Sequence, residues 1–210
     1  MQIGIVGLGL IGGSLGLDLR ETGHRVYGLS RSSQSCELAQ AMGAVDEAAT
    51  VPEILKNLDM VVLCTPIGSM VKVFHHIQPY LASETVVTDV GSVKASVVNS
   101  LEPLWPNFLG AHPMAGKAEA GIQAAQRHLF LNRPFVVTPT PRTDPVAQAR
   151  VQDLVAAVGG TLHFADPQSH DQAVALISHL PIFVSAGLLT GCLQTEDSAV
   201  LTLAKSLAST

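Results

Sequence analysis

The sequence predicts an α/β fold, in which a doubly wound, mostly parallel sheet precedes an all-helical C-terminal domain. Short apolar runs alternate with amphipathic helical stretches over residues 1–166, and this alternation is typical of βαβ units. A glycine-rich turn joins the first strand to the first helix, and only helical periodicity is found beyond Asp166. We therefore predict a sheet domain over residues 1–166 and the start of a helical domain over residues 167–210.

The individual elements follow from apolar runs and their stop signals. Residues 60–64 form a nearly unbroken apolar run, as expected for a central strand covered on both faces. Gly23 and Gly43 end the first two helices, and Ser92 is expected to cap the helix that follows it. The other predicted strands cover residues 2–6, 25–30, 85–89, 135–138 and 161–164, with a short one from residue 108, and the main helices cover 12–22, 33–42, 70–77 and 146–158.

Composition excludes several classes of protein. The net charge is -5 and no run of Lys or Arg occurs, so the chain lacks the basic footprint of a nucleic-acid-binding protein. Three widely separated cysteines show neither metal-ligand nor disulfide spacing, which fits a reducing cytoplasm. Residues 176–193 are long and apolar enough to consider as a membrane span, but they include His179 and Pro181. We expect a helix buried in a domain or subunit interface, and no membrane partner.

The glycine-rich turn has the pattern G-x-G-x-x-G and lies between a predicted strand and a predicted helix. In that context the glycines permit a tight turn and close approach of a pyrophosphate, which the helix amino terminus attracts. A Rossmann-type dinucleotide site is therefore predicted. Loops at the carboxyl ends of neighbouring strands should border the same ligand. The predicted cofactor-binding residues are Gly7, Leu8, Gly9, Leu10, Ile11, Gly12, Ser30, Arg31, Ser32, Cys64, Thr65, Pro66 and Gly91.

The end of the second strand indicates which dinucleotide binds. NAD-selective sites usually place Asp or Glu there, to hold the ribose 2′-hydroxyl. This chain has Ser30, Arg31 and Ser32 instead, so no carboxylate repels a 2′-phosphate and a guanidinium is available to pair with it. The sequence favours NADP, although an ordinary polar loop with a solvated arginine is the alternative.

One of the eight histidines stands out as a candidate base. His112 follows a short strand and lies among small residues that leave room for a ligand. An imidazole titrates near neutral pH and suits proton transfer during oxidation of an alcohol. His24, His75, His76 and His128 are interpreted as surface or turn histidines.

Four motifs together resemble the prephenate/arogenate dehydrogenase family: GLGLIGGSL, TDVGSVK, GAHPMAG and SHLP. The resemblance implies oxidative decarboxylation of a cyclohexadienol in tyrosine biosynthesis. It implies that His112 accepts the proton of the ring hydroxyl as hydride leaves, and that Ser92 orients this histidine. His179 is similar to a family histidine that shapes the substrate pocket, and the family implies a homodimer formed through the helical domain.

The chain also departs from the family pattern. After Gly116, many relatives have Thr-Glu, whereas this chain has Lys117 and Ala118. Lys117 either meets a substrate carboxylate or is a solvated loop lysine. The chain ends at Thr210 inside a predicted helix, so we expect the helical domain to be incomplete, and the carboxylate-binding arginine that the family implies is not identified. NADP preference and the absence of a visible regulatory domain favour arogenate over prephenate.

Two rival functions stay open at this stage. A β-hydroxyacid dehydrogenase would use a lysine on an early helix of the second domain, but residues 171–191 contain none. A non-catalytic NADP-binding module, with a helical tail that recruits a partner, is compatible with the glycine motif and Arg31. Replacement of His112 distinguishes it from an enzyme.

Overall fold

The computed structural model describes residues 1–193 and 197–207. The chain divides into two compact units, Met1–His170 and Asp171–Thr210. The first unit carries the sheet, and the second is described as helix only. The division predicted from the sequence lies a few residues earlier, between residues 166 and 167.

An eight-stranded sheet forms the centre of the first unit, with the strand order β3-β2-β1-β4-β5-β6-β7-β8. Neighbouring strands are parallel, except that β6 and β7 are antiparallel. The predicted doubly wound, mostly parallel sheet is therefore confirmed. The strands are β1 (Gln2–Val6), β2 (Arg25–Leu29), β3 (Glu47–Ala49), β4 (Met60–Leu63), β5 (Val86–Asp89), β6 (Phe108–Pro113), β7 (Pro134–Thr138) and β8 (Thr161–Phe164).

Five α-helices cover the two faces of this sheet. Side chains alternate between faces along a strand, and β4 shows this directly. Met60 and Val62 belong to one buried apolar cluster, and Val61 and Leu63 to another. The first cluster contains Leu15 and Leu19 from the first helix, and the second contains residues of the third and fourth. The helices are α1 (Leu10–Glu21), α2 (Ser33–Ala41), α3 (Ile67–Ile77), α4 (Ala95–Leu101) and α5 (Pro145–Ala157).

The structure corrects four details of the predicted elements. Helix α1 begins at Leu10, two residues before the predicted start, and α3 begins at Ile67 instead of Met70. Strand β3 was not predicted, because its Glu-Ala-Ala sequence carries no strand preference. The predicted helix cap at Ser92 is wrong: α4 begins at Ala95, and Lys94 occupies the N-cap position.

The second unit consists of helix in its described residues. Helix α6 (Pro167–Val174) contains the division between the units, a π-helical turn at Ala175–His179 follows, and α7 (Leu180–Leu193) and α8 (Ser198–Leu207) complete it. The π turn has a local cause in Pro181. Proline lacks an N–H and its ring clashes with the carbonyl four residues earlier, and such breaks in the hydrogen-bond ladder are often absorbed by a π bulge.

A long apolar surface runs along this helical segment. Pro167–Gly191 is a continuous 25-residue helix that contains an 18-residue apolar window with a mean hydropathy of 1.8, and only 6% of that window is buried within the chain. Its length and composition would suffice to cross a membrane. A helix whose apolar side chains are buried against another protein surface has the same composition. The most exposed large side chains of the unit include Leu176, Ile177, Phe183, Leu188 and Leu189.

Candidate active site

The glycine-rich turn between β1 and α1 has the geometry that its sequence predicts. Gly7 has φ +105°, in the left-handed region, and a Cβ there would lie 2.6 Å from the Cys64 carbonyl oxygen. A Cβ on Gly12 would lie 2.1 Å from the Gly7 carbonyl oxygen, so helix and turn can pack only with glycine. No atom of the described residues lies within 4 Å of a Cβ placed on Gly9. Gly7 and Gly12 therefore shape the turn, whereas Gly9 leaves open space beside it.

A cavity of about 680 Å³ opens in front of this turn. It brings together loops from the carboxyl ends of β1, β2 and β4, where ligands bind in open α/β sheets. Of the predicted residues, Leu10, Ile11 and Gly12 form the first turn of α1 behind the cavity, and Gly91 does not line it. The predicted cofactor-binding residues that do line it are Gly7, Leu8, Gly9, Ser30, Arg31, Ser32, Cys64, Thr65 and Pro66.

The electrostatics of the cavity are those of an anion site. Arg31 and Lys72 line it, and among the described residues no Asp or Glu does. The Ser32 hydroxyl accepts a hydrogen bond of 3.2 Å from the Ser35 N–H and caps α2. Its own O–H proton can still be donated to a phosphate oxygen.

Polar groups facing the cavity fit a pyridine dinucleotide. The buried Oγ1 atom of Thr65 has no hydrogen-bond partner in the described part of the chain, and a buried hydroxyl without a partner marks a place for a ligand group. Gly9 is the N-cap of helix α1 and provides no side-chain cap, and the first turn has no acidic residue, so the N–H groups of this turn can face a pyrophosphate. Burial raises the pKa of the Cys64 thiol, which keeps this neighbour uncharged.

A pair of buried histidines lies at the end of β6. Nδ1 of His112 is 2.9 Å from Nε2 of His170, and their rings meet edge to face at 5.1 Å between centroids. The two residues are 9% and 3% exposed. Because His170 engages Nδ1, Nε2 is the nitrogen through which His112 would act as a base.

A buried ion pair fixes the strand that carries His112. The Lys94 ammonium pairs with Asp89 and donates a hydrogen bond of 2.8 Å to the Ala111 carbonyl oxygen. Asp89 accepts N–H bonds from Gly91 and Ala111. Burial raises the pKa of the Asp89 carboxyl, and Lys94 opposes that rise. The pair thus ties the turn after β5 to the residue that precedes His112.

The predicted residues on this turn occupy different environments. Gly91 is buried, and its N–H is bound to Asp89 at 2.8 Å. Ser92 is exposed at the carboxyl end of β5, next in the sheet to the strand of His112. This position leaves the Ser92 hydroxyl accessible to a ligand.

A second, polar cavity of about 540 Å³ begins two residues beyond His112. Gly116 and Lys117 line it, as do His128 and Arg133. Neither Lys117 nor Arg133 pairs with a carboxylate among residues 1–193 and 197–207. The cavity therefore offers two cations to an anion close to the histidine strand.

His179 lies in the second unit, as the last residue of the π turn. Its side chain is exposed within the described chain. π turns occur frequently at functional sites.

Three residues of the candidate site were not predicted from the sequence. Lys94 stands two residues after Ser92 in a motif already singled out, and its pairing with Asp89 could have been suspected from that proximity. His170 is 58 positions from His112, and nothing in its local pattern indicates the contact. Lys72 lies on a helix face whose orientation towards the cavity depends on how α3 packs.

Comparisons with known proteins agree with this geometry. The prephenate dehydrogenase nucleotide-binding domain matches residues 15–164, and the prephenate dehydrogenase dimerization domain matches residues 166–210. Prephenate dehydrogenase from Bacillus subtilis is 32% identical over 202 residues, covering 92% of this chain and 54% of that protein. The chain spans about half to two thirds of the length of two of the curated relatives that it matches.

Solved structures show the same relationship. The crystal structure of Synechocystis arogenate dehydrogenase is 43% identical with a TM-score of 0.90, covering 99% of this chain and 74% of that one. Aquifex aeolicus prephenate dehydrogenase, in complex with hydroxyphenyl propionate and NAD+, is 29% identical with a TM-score of 0.87, covering 95% of this chain and 71% of that one. The nucleotide cavity, the histidine strand and these matches together show that the chain belongs to the prephenate dehydrogenase family.

Proposed function

We propose that this chain carries the site for NADP-dependent oxidative decarboxylation of arogenate to tyrosine, with His112 as the base. The observation that carries the proposal is the buried His112–His170 pair at the carboxyl edge of a sheet whose glycine turn faces a nucleotide cavity. The alternative substrate is prephenate, which would give 4-hydroxyphenylpyruvate.

The cofactor would lie along the cavity in front of β1, β2 and β4. The α1 amino terminus would hold the pyrophosphate, with Gly9 giving it room. Arg31 would pair with the 2′-phosphate of NADP, supported by the Ser30 and Ser32 hydroxyls. The A. aeolicus relative was solved with NAD+, so the preference for NADP rests on Arg31 and on the lack of a carboxylate among the described cavity residues.

NADP would supply the hydride acceptor, and residues of the chain would accept the proton of the substrate hydroxyl. Nε2 of His112 would accept the proton of the ring C4 hydroxyl while the C4 hydride is transferred. The C4–O bond becomes a carbonyl, the bond to the ring carboxylate breaks with loss of carbon dioxide, and its electrons enter the ring. Return of a proton to the oxygen gives the phenol. Ser92, exposed beside this strand, would hydrogen-bond the same hydroxyl.

The substrate carboxylates need cationic or donor groups near His112. Lys117 and the Gly116 backbone line the polar cavity that begins at Met114, and we assign them to a carboxylate of the substrate. His179 is assigned to the substrate end of the pocket, in agreement with its place at a π turn.

One solved relative favours the amino form of the substrate. Synechocystis arogenate dehydrogenase shares 43% of its residues with this chain, against 29% for A. aeolicus prephenate dehydrogenase. Arogenate and prephenate differ only in an amino or keto group on the side chain, away from the ring alcohol. The hydride chemistry and the role of His112 are the same for both substrates.

The helical unit supports a homodimer. Its long helix exposes apolar side chains such as Phe183 and Leu188, and the matching domain is a dimerization domain. Burial of such a surface against a second copy would remove apolar area from water. Free cysteines at positions 36 and 64 agree with a reducing, cytoplasmic location.

The test is one assay with arogenate or prephenate and NADP or NAD, in all four combinations, followed by absorbance of the reduced cofactor. We expect the highest kcat/KM with arogenate and NADP. His112→Asn should lower kcat by at least about a hundredfold while NADP affinity stays within about twofold. No turnover with either substrate, despite tight NADP binding, would favour a binding module.

A further inference from the structure

One face of α3 forms a wall of the nucleotide cavity. Ser69, Lys72, Val73 and His76 all line it, and their spacing of three, four and seven residues places them on a single helical face. Helix α3 lies outside both the glycine-rich turn and the loop after β2, the two segments from which the dinucleotide site was predicted. It therefore adds ligand contacts that the dinucleotide fingerprint does not predict.

Lys72 adds a second positive charge to the cavity. Arg31 lines the same cavity from the end of β2, and Lys72 lines it from α3. Neither side chain is in an ion pair with a carboxylate of the described chain. Two cations that face one cavity without any described carboxylate beside them attract an anion of more than one charge.

We propose that Lys72 is a specificity-determining residue that contacts the 2′-phosphate of NADP together with Arg31. The inference rests on the proposed NADP preference and extends it to a second element of the fold. A phosphate monoester carries a charge of about -1.5 to -2 at neutral pH, which a single guanidinium does not balance. Arg31 supplies a planar fork of donors, and Lys72 supplies a compact charge on a flexible stem.

NAD provides the internal comparison, because its ribose carries a neutral 2′-hydroxyl. A lysine that contacts the 2′-phosphate should strengthen NADP binding and leave NAD binding nearly unchanged. A lysine that lies against the adenine ring or the pyrophosphate should affect both cofactors equally. The ratio of the two affinities therefore distinguishes these roles.

The experiment measures binding of 2′,5′-ADP and 5′-AMP to the full chain by titration calorimetry. In Lys72→Met, affinity for 2′,5′-ADP should fall about fivefold to twentyfold, the effect of losing one partly exposed charge-assisted contact. Affinity for 5′-AMP should stay within about twofold. Lys56→Met is the matched control, since Lys56 is exposed over the Tyr80 ring outside the cavity.

Three outcomes separate this inference from the proposal on which it rests. A selective loss of 2′,5′-ADP affinity in Lys72→Met, absent from Lys56→Met, supports the role of Lys72. An equal loss for both ligands, or no loss at all, overturns it while the NADP preference of the wild-type chain stands. A wild-type chain that binds 5′-AMP as tightly as 2′,5′-ADP overturns both.

Discussion

Nδ1 of His112 and Nε2 of His170 lie 2.9 Å apart, with both rings buried. Only one proton can occupy this contact, so one of the two nitrogens donates it and the other accepts it. When Nδ1 of His112 carries the proton, its Nε2 has the lone pair that a base needs. His170 would then accept this hydrogen bond and hold the ring in its working orientation, as the third member of a catalytic triad does.

Replacement of His170 tests this positioning role. In His170→Leu we expect kcat to fall about tenfold to a hundredfold, because His112 loses the partner that sets its tautomer. The KM for NADP should change less than about twofold. Steady-state kinetics across the pH range provides the measurement, and the acid limb of kcat/KM should move relative to the wild-type profile.

The control for this experiment is His163→Leu, because His163 is exposed on β8. His170→Gln retains an acceptor and should recover part of the lost kcat. If the pH profile of kcat/KM for His170→Leu had the same shape as that of the wild type and differed only in height, His170 would have a purely structural role. Unchanged kcat would remove His170 from the site.

Substitution of Gly9 in the glycine-rich turn should weaken cofactor binding with little effect on stability. Gly9→Ala adds a methyl group at a place where no described residue lies within 4 Å, so the free energy of unfolding should fall by no more than about 1 kcal/mol, the cost of a poorer N-cap. Cofactor affinity should nevertheless fall by at least about tenfold, because the pyrophosphate needs that space. Thermal unfolding and cofactor titration measure the two effects.

Gly12→Ala is the matched comparison within the same turn. Its Cβ would lie 2.1 Å from a backbone oxygen, so we expect destabilisation of about 3 kcal/mol in addition to lost binding. If Gly9→Ala bound cofactor like the wild type, the ligand would not approach the turn as proposed.

The sheet was predictable because its signals are local. β4 combines apolar β-branched residues in one run, and Gly23 and Gly43 end helices through positive φ angles of 85° and 72°. The Gly7–Gly12 turn is equally local. β3 was missed because three residues paired to the edge of a sheet acquire their conformation from the neighbouring strand β2.

The candidate site was only partly predictable, because much of it depends on long-range packing. Arg31 and His112 carry signals in their own motifs. The partner of His112 comes from a helix 58 residues later, and Lys72 faces the cavity only because α3 packs with Phe74 and Ile77 buried behind it. Contacts between distant segments leave no periodic trace in the sequence.

The Asp89–Lys94 pair provides a test of how the histidine strand is held. Both side chains are fully buried, and loss of one partner leaves an uncompensated charge in the core. Lys94→Met should therefore lower the free energy of unfolding by about 3–5 kcal/mol. Urea denaturation followed by circular dichroism measures the change.

The double variant Asp89→Asn/Lys94→Met distinguishes the ion pair from simple loss of packing. It leaves no isolated charge, so it should be more stable than Lys94→Met alone. A double variant at least as unstable as the sum of the single variants would show that the two residues act independently. Exposed Lys56→Met serves as the control for loss of one lysine.

Asp18 should make stability depend on pH. This buried carboxyl accepts a 2.8 Å hydrogen bond from the His128 N–H, and its second oxygen has no partner among the described residues. Burial raises its pKa above 3.8, so the folded chain holds the proton more tightly than the unfolded chain. Stability from this group is therefore present at low pH and declines as pH rises through the range above 3.8.

Asp18→Asn removes this titration and retains an oxygen that can accept the His128 N–H. As pH rises above the ordinary carboxyl range, the free energy of unfolding of the variant should increase relative to that of the wild type. At neutral pH we expect the variant to be more stable by roughly 1 kcal/mol. Urea denaturation at a series of pH values measures the difference. Glu37→Gln, an exposed change of equal charge on α2, should show no such trend. A stability difference between Asp18→Asn and wild type that stays constant with pH would mean that the folded and unfolded chains bind this proton equally.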